Sequence, residues 1–279
     1  MTNARACQRT IRHGFSLEGV GLHTGQPSAV HLSQSTINSG IAWLLSGEPA
    51  PFSSGTHAIR GTSRCTVLGT AKNQVSTVEH LLSALSGCAI DNCLIRVEGP
   101  EVPALDGSSL PFCVAVEQAG FLEQDEERQW FELDEPVWVE QNGSHLLAIP
   151  AEQLRVTYGI DFAHPVLGQQ IFSAPVTRES YRQEIAPART FGFLREIEEL
   201  RRRGLALGGG MDNALVIAED GYLSPLRFAD EPVRHKVLDL LGDLALLGAP
   251  LRAHVIGLKT SHGLNVRLVE AIQNKRRRG

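Results

Sequence analysis

What this sequence lacks narrows it first. No apolar run approaches the length that crosses a bilayer. The opening MTNARACQRTIRHGF has no apolar h-region, so no secretory signal is expected, and its short basic character leaves a transit leader as the thinner reading. Cys7, Cys65, Cys88, Cys93 and Cys113 form no CxxC pair and no disulfide-framework spacing, which points to reduced thiols and a cytoplasmic chain. Positive charge is not in surplus. A formal net charge of −5 argues against a general polyanion binder, so no nucleic-acid partner is expected. Two local basic clusters, Arg201-Arg202-Arg203 and Lys275 to Arg278, are solvated faces or places of peripheral contact with phosphates or an anionic membrane. The HExxH pattern of metalloproteases is also missing.

What is present is an ordinary globular composition, 42% hydrophobic and 20% charged over 279 residues, enough for one large domain or two smaller ones. The acidic stretch EQDEER (123–128) is the best boundary, giving domains at 1–124 and 129–279. STVEHLLSALSG (76–87) predicts a capped helix, NCLIRVEG (92–99) a strand and SSLPFCVAVEQAG (108–120) a second helix. The second half repeats that order. An Asn142-Gly143 hairpin signal comes first, then the helix EPVRHKVLDLLGDLALLG, the strand RAHVIGL and the helix LNVRLVEAIQ. Setting ALSGCAIDNCLIRV (84–97) against ALLGAPLRAHVIGL (245–258) places Leu94-Ile95 opposite Val255-Ile256. The expected fold class is therefore α+β, with two domains of one plan, each a sheet backed by two helices.

VRHKVLDLLGD (233–243) carries the most chemistry. Steps of four residues keep His235, Asp239 and Asp243 within roughly 80° of one another on a helix, with Lys236 at the edge of that arc. One reading is a solvated face holding i,i+4 pairs worth a few tenths of a kcal/mol each. The other is a metal site, because an imidazole and a carboxylate one turn apart can grip the same ion. In the first half, Ser76 and Glu79 stand at capping-box spacing, which would make Glu79 a helix cap. The adjacent Glu79-His80 pair also suits hydrolysis, with His80 on a metal and Glu79 near its water. His80, His235 and Asp239 would then be three N/O ligands leaving one position open, the pattern of catalytic zinc. His262, at a strand–helix junction, is either a polar-turn histidine or a proton donor held charged by Asp243.

Taken together, GVGLHTG (19–25), STVEH (76–80), IDNCLIRVEGPEVPALDGSSLPF (90–112), ARTFGF (188–193), RGLALGGGMDNALV (203–216), LRFADEPVRHKVLDLLGD (226–243) and SHGLN (261–265) resemble the UDP-3-O-acyl-N-acetylglucosamine deacetylases of lipid A biosynthesis. The resemblance implies a Zn²⁺ amidase that removes an N-acetyl group and releases acetate. It implies His80, His235 and Asp239 as ligands, Glu79 as general base, and His262 as the donor to the leaving amine with Asp243 behind it. Thr190 would donate to the oxyanion, Phe191 and Lys236 would contact the sugar and the polar part of the nucleotide, and an insert at about 190–216 would form an acyl passage through Ile197, Leu200 and Val216. The family fold is likewise two similar α+β domains, each mainly antiparallel, with helices packed between the sheets. The small-molecule substrate would be met by a monomer. One departure is SHGLN followed by Val-Arg, where relatives often show Gly-His-Ala-Leu-Asn, and the compact DFAHPVLGQQIFS (161–173) leaves acyl length open. The competing reading is a non-catalytic nucleotide-sugar binder, which would not need Glu79, His262 and all three ligands together.

Overall fold

The structure, a computed structural model, describes residues 6–276. In chain order the first half runs β1 (Cys7–Ile11), β2 (Phe15–Val20), β3 (Pro27–Gln34), β4 (Ile41–Leu45) and β5 (Phe52–Ser53). It continues through β6 (Ile59–Gly61), β7 (Val67–Gly69), β8 (Gln74–Val75), α1 (Glu79–Gly87), β9 (Cys93–Glu98), α2 (Leu110–Ala119) and β10 (Phe121–Glu127). The second half begins with β11 (Phe131–Glu132), β12 (Val137–Gln141), β13 (Ser144–Pro150), β14 (Arg155–Asp161), β15 (Gln169–Pro175) and the single turn α3 (Arg178–Ser180). There follow β16 (Phe191–Phe193), α4 (Leu194–Arg202), β17 (Leu215–Ala218), β18 (Gly221–Tyr222), α5 (Glu231–Leu244), β19 (Leu251–Leu258) and α6 (His262–Arg276).

Two sheets follow one path. The first orders its strands β2-β3-β9-β4-β5, and the second β12-β13-β19-β14-β15, with β11 pairing β19 beside that path. In both, only the third and fourth strands of this path run parallel. The α+β class and the duplicated plan thus stand as the sequence predicts. Each half also carries an insertion at the same point, between its last sheet strand and its central helix. The first half places β6–β8 there, the second β16, α4, β17 and β18.

The internal echo has the right order of elements but slips by one residue. β9 buries Cys93, Ile95 and Val97, and β19 buries Leu251, Ala253, Val255 and Gly257. Ile95 lies between Leu32 and Trp43, as Val255 lies between Ala148 and Val156. The true counterpart of Ile95 is therefore Val255, not Ile256. In a strand such a slip exchanges the core face for the outer face, so the burial pattern decides the register. The Asn142-Gly143 turn is as expected, with φ of 51° and 75° matching the twist of a two-residue hairpin.

The acidic stretch read as a boundary lies in β10, the strand that closes the first half and pairs antiparallel with β1. Alternation leaves its Glu123, Asp125 and Glu127 exposed, so the charges sit on the wet face of a strand.

One continuous core joins both halves, with α1 and α5 against each other at its centre. Gly242 makes that approach possible. A Cβ there would lie 2.1 Å from the Glu79 carbonyl oxygen, so the two helices cross where α1 begins. Val233, Val237, Leu238, Leu240, Leu241 and Leu244 of α5 are all buried. So are His235, Asp239 and Asp243, at 2%, 3% and 0% exposure, which rules out a hydrated face for this helix. Among the described residues no helix is long and apolar enough to cross a membrane. The five cysteines are free thiols.

Candidate active site

The crossing of α1 and α5 brings three ligand-type atoms together. Asp239 Oδ1 lies 3.3 Å from His235 Nε2 and 3.6 Å from His80 Nε2, and the two imidazole rings meet edge to face with centroids 5.0 Å apart. Bonds of about 2.0–2.1 Å to a tetrahedral ion put ligand atoms roughly 3.3 Å from one another. The donors fit a small divalent cation on that measure. His235 Nδ1–H donates to Ala188 O at 3.1 Å, which fixes the tautomer and turns the Nε2 lone pair toward the cluster. Burial pushes the His235 pKa down to about 4, so the ring is neutral and free to ligate. For Asp239 burial pulls upward, but His235, Lys236 and His80 outweigh it and hold the carboxyl well below its ordinary range. Lys236 Nζ, 2.5 Å from Asp239 Oδ2, is kept charged: burial opposes its charge, and Asp239 overcomes that.

Glu79 does not cap α1. Val78 precedes the helix with no side-chain cap, and Ser76 instead pairs in extended conformation with Glu101. The capping-box expectation fails because the chain bends sharply at Thr77, whose φ of 58° takes Ser76 away from the helix end. A left-handed β-branched residue costs of order 1–3 kcal/mol and needs outside support. The Glu79 carboxylate accepts instead from the Thr66 amide at 3.0 Å, and Glu79 Oε1 lies 3.8 Å from His262 Nε2. Burial raises the Glu79 pKa, against the pull of His262 and His80, which makes it a stronger base than a surface carboxylate.

His262 opens α6 and donates from Nδ1 to Asp243 Oδ2 at 2.9 Å. Burial works against its charge, yet Asp243 and Glu79 raise its pKa to about 9. Asp243, wholly buried, also accepts from Thr66 Oγ1 at 2.5 Å and Asn265 Nδ2 at 2.9 Å. Thr66 thus links the Glu79 and Asp243 carboxylates through one residue.

Glu79, His80, His235, Lys236, Asp239 and His262 face a cavity of about 350 Å³, and Asp243 stands behind His262. Thr190 and Phe191 form one wall. Thr190 is held by its amide to Gly107 O and by Leu215 N–H to its carbonyl, both at 2.8 Å. Arg189, beside it, is locked to Glu231 at the start of α5 by Nε at 2.8 Å and Nη2 at 3.0 Å. Ile197, Leu200 and Val216 line the same cavity, so every site residue expected from the sequence is brought together. The Arg201–Arg203 cluster is exposed at the end of α4. Lys275 reaches Glu135 Oε1 at 2.6 Å, and residues 277–279 lie outside the described residues. A larger cleft of about 630 Å³ between the halves holds none of the expected site residues.

Sequence reasoning missed several members. His23 and Arg64 line the cavity, as do Thr62 and Phe162. Thr66, Glu101 and Asn265 hold the site from behind. His23 and Glu101 lie in GVGLHTG and EGPEVPALDG, stretches that stood out without suggesting a role. Thr66 carries no signal of its own.

Comparison with known proteins identifies the family. Residues 8–274 match the LpxC family profile, described as UDP-3-O-acyl N-acetylglycosamine deacetylase. The chain is 42% identical over 273 residues to a UDP-3-O-acyl-N-acetylglucosamine deacetylase of Nostoc sp., covering 95% of this chain and 98% of the relative. Proteins of that name from Thermosynechococcus vestitus (44%, covering 96% and 95%) and Leptospira biflexa (39%, covering 96% and 90%) are similar along the same span.

Proposed function

We propose the chemistry of this site from one premise: the chain belongs to the UDP-3-O-acyl-N-acetylglucosamine deacetylase family. It is a deacetylase of lipid A biosynthesis, a hydrolase that takes the N-acetyl group from a UDP-3-O-acyl-N-acetylglucosamine and releases acetate. The sugar nucleotide is its small-molecule substrate.

The residue roles are our reading. His80, His235 and Asp239 would hold the metal, and two imidazoles with one carboxylate suit a catalytic Zn²⁺. When bound, the ion supplies Lewis acidity, polarising the amide carbonyl and lowering the pKa of a water toward about 7. Glu79 takes a proton from the attacking water, and its burial strengthens it for that step. His262, carrying its proton to about pH 9, delivers it to the amide nitrogen as the C–N bond breaks, so the sugar leaves as the free amine. Asp243 keeps that imidazolium charged and oriented. Thr190 donates its hydroxyl to the oxygen that gains charge, a role worth roughly 2.7–4 kcal/mol in related settings. Lys236 and Phe191 take the sugar and the polar part of the nucleotide, and Lys236 adds positive charge beside the reacting carbonyl. The acyl chain runs between Ile197, Leu200 and Val216, gaining about 0.8 kcal/mol for each methylene buried.

The observation that carries this reading is the convergence of His80 with His235 and Asp239 from two helices far apart in the sequence, with Glu79 and His262 beside them. The same reading takes 1–124 as the first unit, with the boundary in the acidic stretch where β10 ends. It keeps 129–279, with the 190–216 insert, as the second unit. It also takes the protein as a cytoplasmic monomer. Acetate release from the acylated UDP-sugar, followed with and without chelator, tests the proposal. Release should stop on chelation and return with Zn²⁺. Substrate binding with no acetate formed would instead leave a nucleotide-sugar-binding protein.

A further inference from the structure

Behind the cavity wall sits a carboxylate with no part in the chemistry above. Glu101 is 0% exposed, and its side chain accepts from the amides of His23 (3.0 Å) and Thr24 (2.9 Å) and from the hydroxyls of Thr24 (2.8 Å) and Thr77 (2.6 Å). These donors are neutral, so the charge is balanced by oriented dipoles that saturate both oxygens. The carboxylate needs room to reach them, and Gly21 supplies it: a Cβ there would lie 2.3 Å from Glu101 Oε2.

The two things it holds border the reacting groups. One is the 21–25 turn, which carries His23 into the cavity. The other is Thr77, whose left-handed backbone leads through Val78 directly into Glu79 and His80. Since no side chain caps α1, the bend at Thr77 sets how the first turn enters the site. The Thr77 hydroxyl bond to Glu101 anchors that bend from its side chain. The main chains reinforce it, through Ser76 N–H to Pro100 O at 3.1 Å and Val102 N–H to Ser76 O at 3.0 Å.

We propose that Glu101 is a positioning residue for hydrolysis: it anchors the strained Thr77 bend and the His23 turn together, and so aims Glu79 at the attacking water. This rests on Glu79 acting as the base. A carboxylate suits the task and an amide does not. Glutamine offers one oxygen, and its NH₂ would face the His23 or Thr24 donors.

The test uses the full-length, metal-loaded enzyme and reads kcat, KM and bound metal. Glu101→Gln should lower kcat by roughly 10–100-fold, the scale of a misplacement near 1 Å, with KM within about 3-fold and metal stoichiometry kept. Thr77→Val, which loses only the hydroxyl, should fall in the same direction, and Thr77→Ser should recover to within about 3-fold of the parent. Because the pair acts as one unit, the Glu101→Gln/Thr77→Val double variant should be no slower than the slower single. Losses that multiply in the double variant, a Thr77→Ser enzyme no faster than Thr77→Val, or an unchanged kcat in Glu101→Gln would each overturn the proposal. If Glu101→Gln does not fold, the Thr77 pair decides. Near-normal turnover in Glu79→Gln would sink the base assignment itself. A slow Glu79→Gln beside normal Glu101→Gln and Thr77→Val would sink only the inference about Glu101.

Discussion

The two halves of this molecule share one strand path and one helix order, yet they contribute to the site unequally. From α1 come only Glu79 and His80, both in its first turn, whereas α5 offers His235, Lys236, Asp239 and Asp243, spread from its second turn to its last. The crossing point explains this. Gly242 lets α5 touch α1 at the Glu79 carbonyl, so α1 reaches the cavity with its tip while α5 runs alongside it. The insertions diverge as well. The first half lines the cavity with polar Thr62 and Arg64, the second with Phe191, Ile197, Leu200 and Val216. Duplication of a scaffold therefore supplies two helices and two insertion points, and where the helices cross decides which turns do chemistry.

The sharpest way to probe α1's share is Glu79→Gln. The amide keeps an oxygen for the Thr66 N–H, so the fold and bound metal should persist while turnover drops by about 10²–10⁴. Near-normal turnover would reduce Glu79 to a structural acceptor. On α5, Asp239→Ala should strip most of the metal, read as metal content after purification. Full occupancy there would remove Asp239 from the ligand set. Gly242→Ala strikes the crossing itself, since its methyl group would meet backbone rather than a flexible side chain. A loss of about 1–3 kcal/mol in denaturant unfolding is expected, with activity falling alongside. An unchanged midpoint would show that the helices can part at little cost.

The inserts can be compared through Ile197→Gln, which should raise KM about 10-fold for long-acyl substrate and leave an unacylated analogue unaffected. Equal effects on both would end the case for an acyl passage. The smallest effect at neutral pH is a pH limb. His262 must be charged to donate, so kcat should fall as pH rises through about 9, and Asp243→Asn should move that limb down by roughly 1–3 units. The same shift bears on stability. The folded value lies above the unfolded 6.5, so in metal-free protein the pairing stabilises fully below 6.5 and is lost as pH rises through about 9. A basic limb that ignores Asp243 would detach it from His262.

Much of this was legible in one dimension. The 3.6-residue spacing of the α5 leucines, the Asn142-Gly143 turn and the alternation of β9 and β19 each report a local conformation, because neighbours in the chain decide it. Ordered motifs along the chain carried the residues proposed as metal ligands and base. One local reading went astray where a distant partner outcompeted a near one. Ser76 and Glu79 have capping-box spacing, but the Pro100 carbonyl takes the Ser76 amide and hydroxyl, and the Thr66 amide takes the Glu79 carboxylate.

By itself, then, the sequence determined which chemical groups exist, which of them share a helix face and in what order the elements come. Those properties depend on bonds and spacings within a turn or two. Only the tertiary structure decided that His80 meets Asp239, that His235 is neutral while His262 is charged, and that Glu101 holds Thr77. Each of these depends on burial and on partners far apart in the chain, and packing alone brings such groups within a few ångströms of one another.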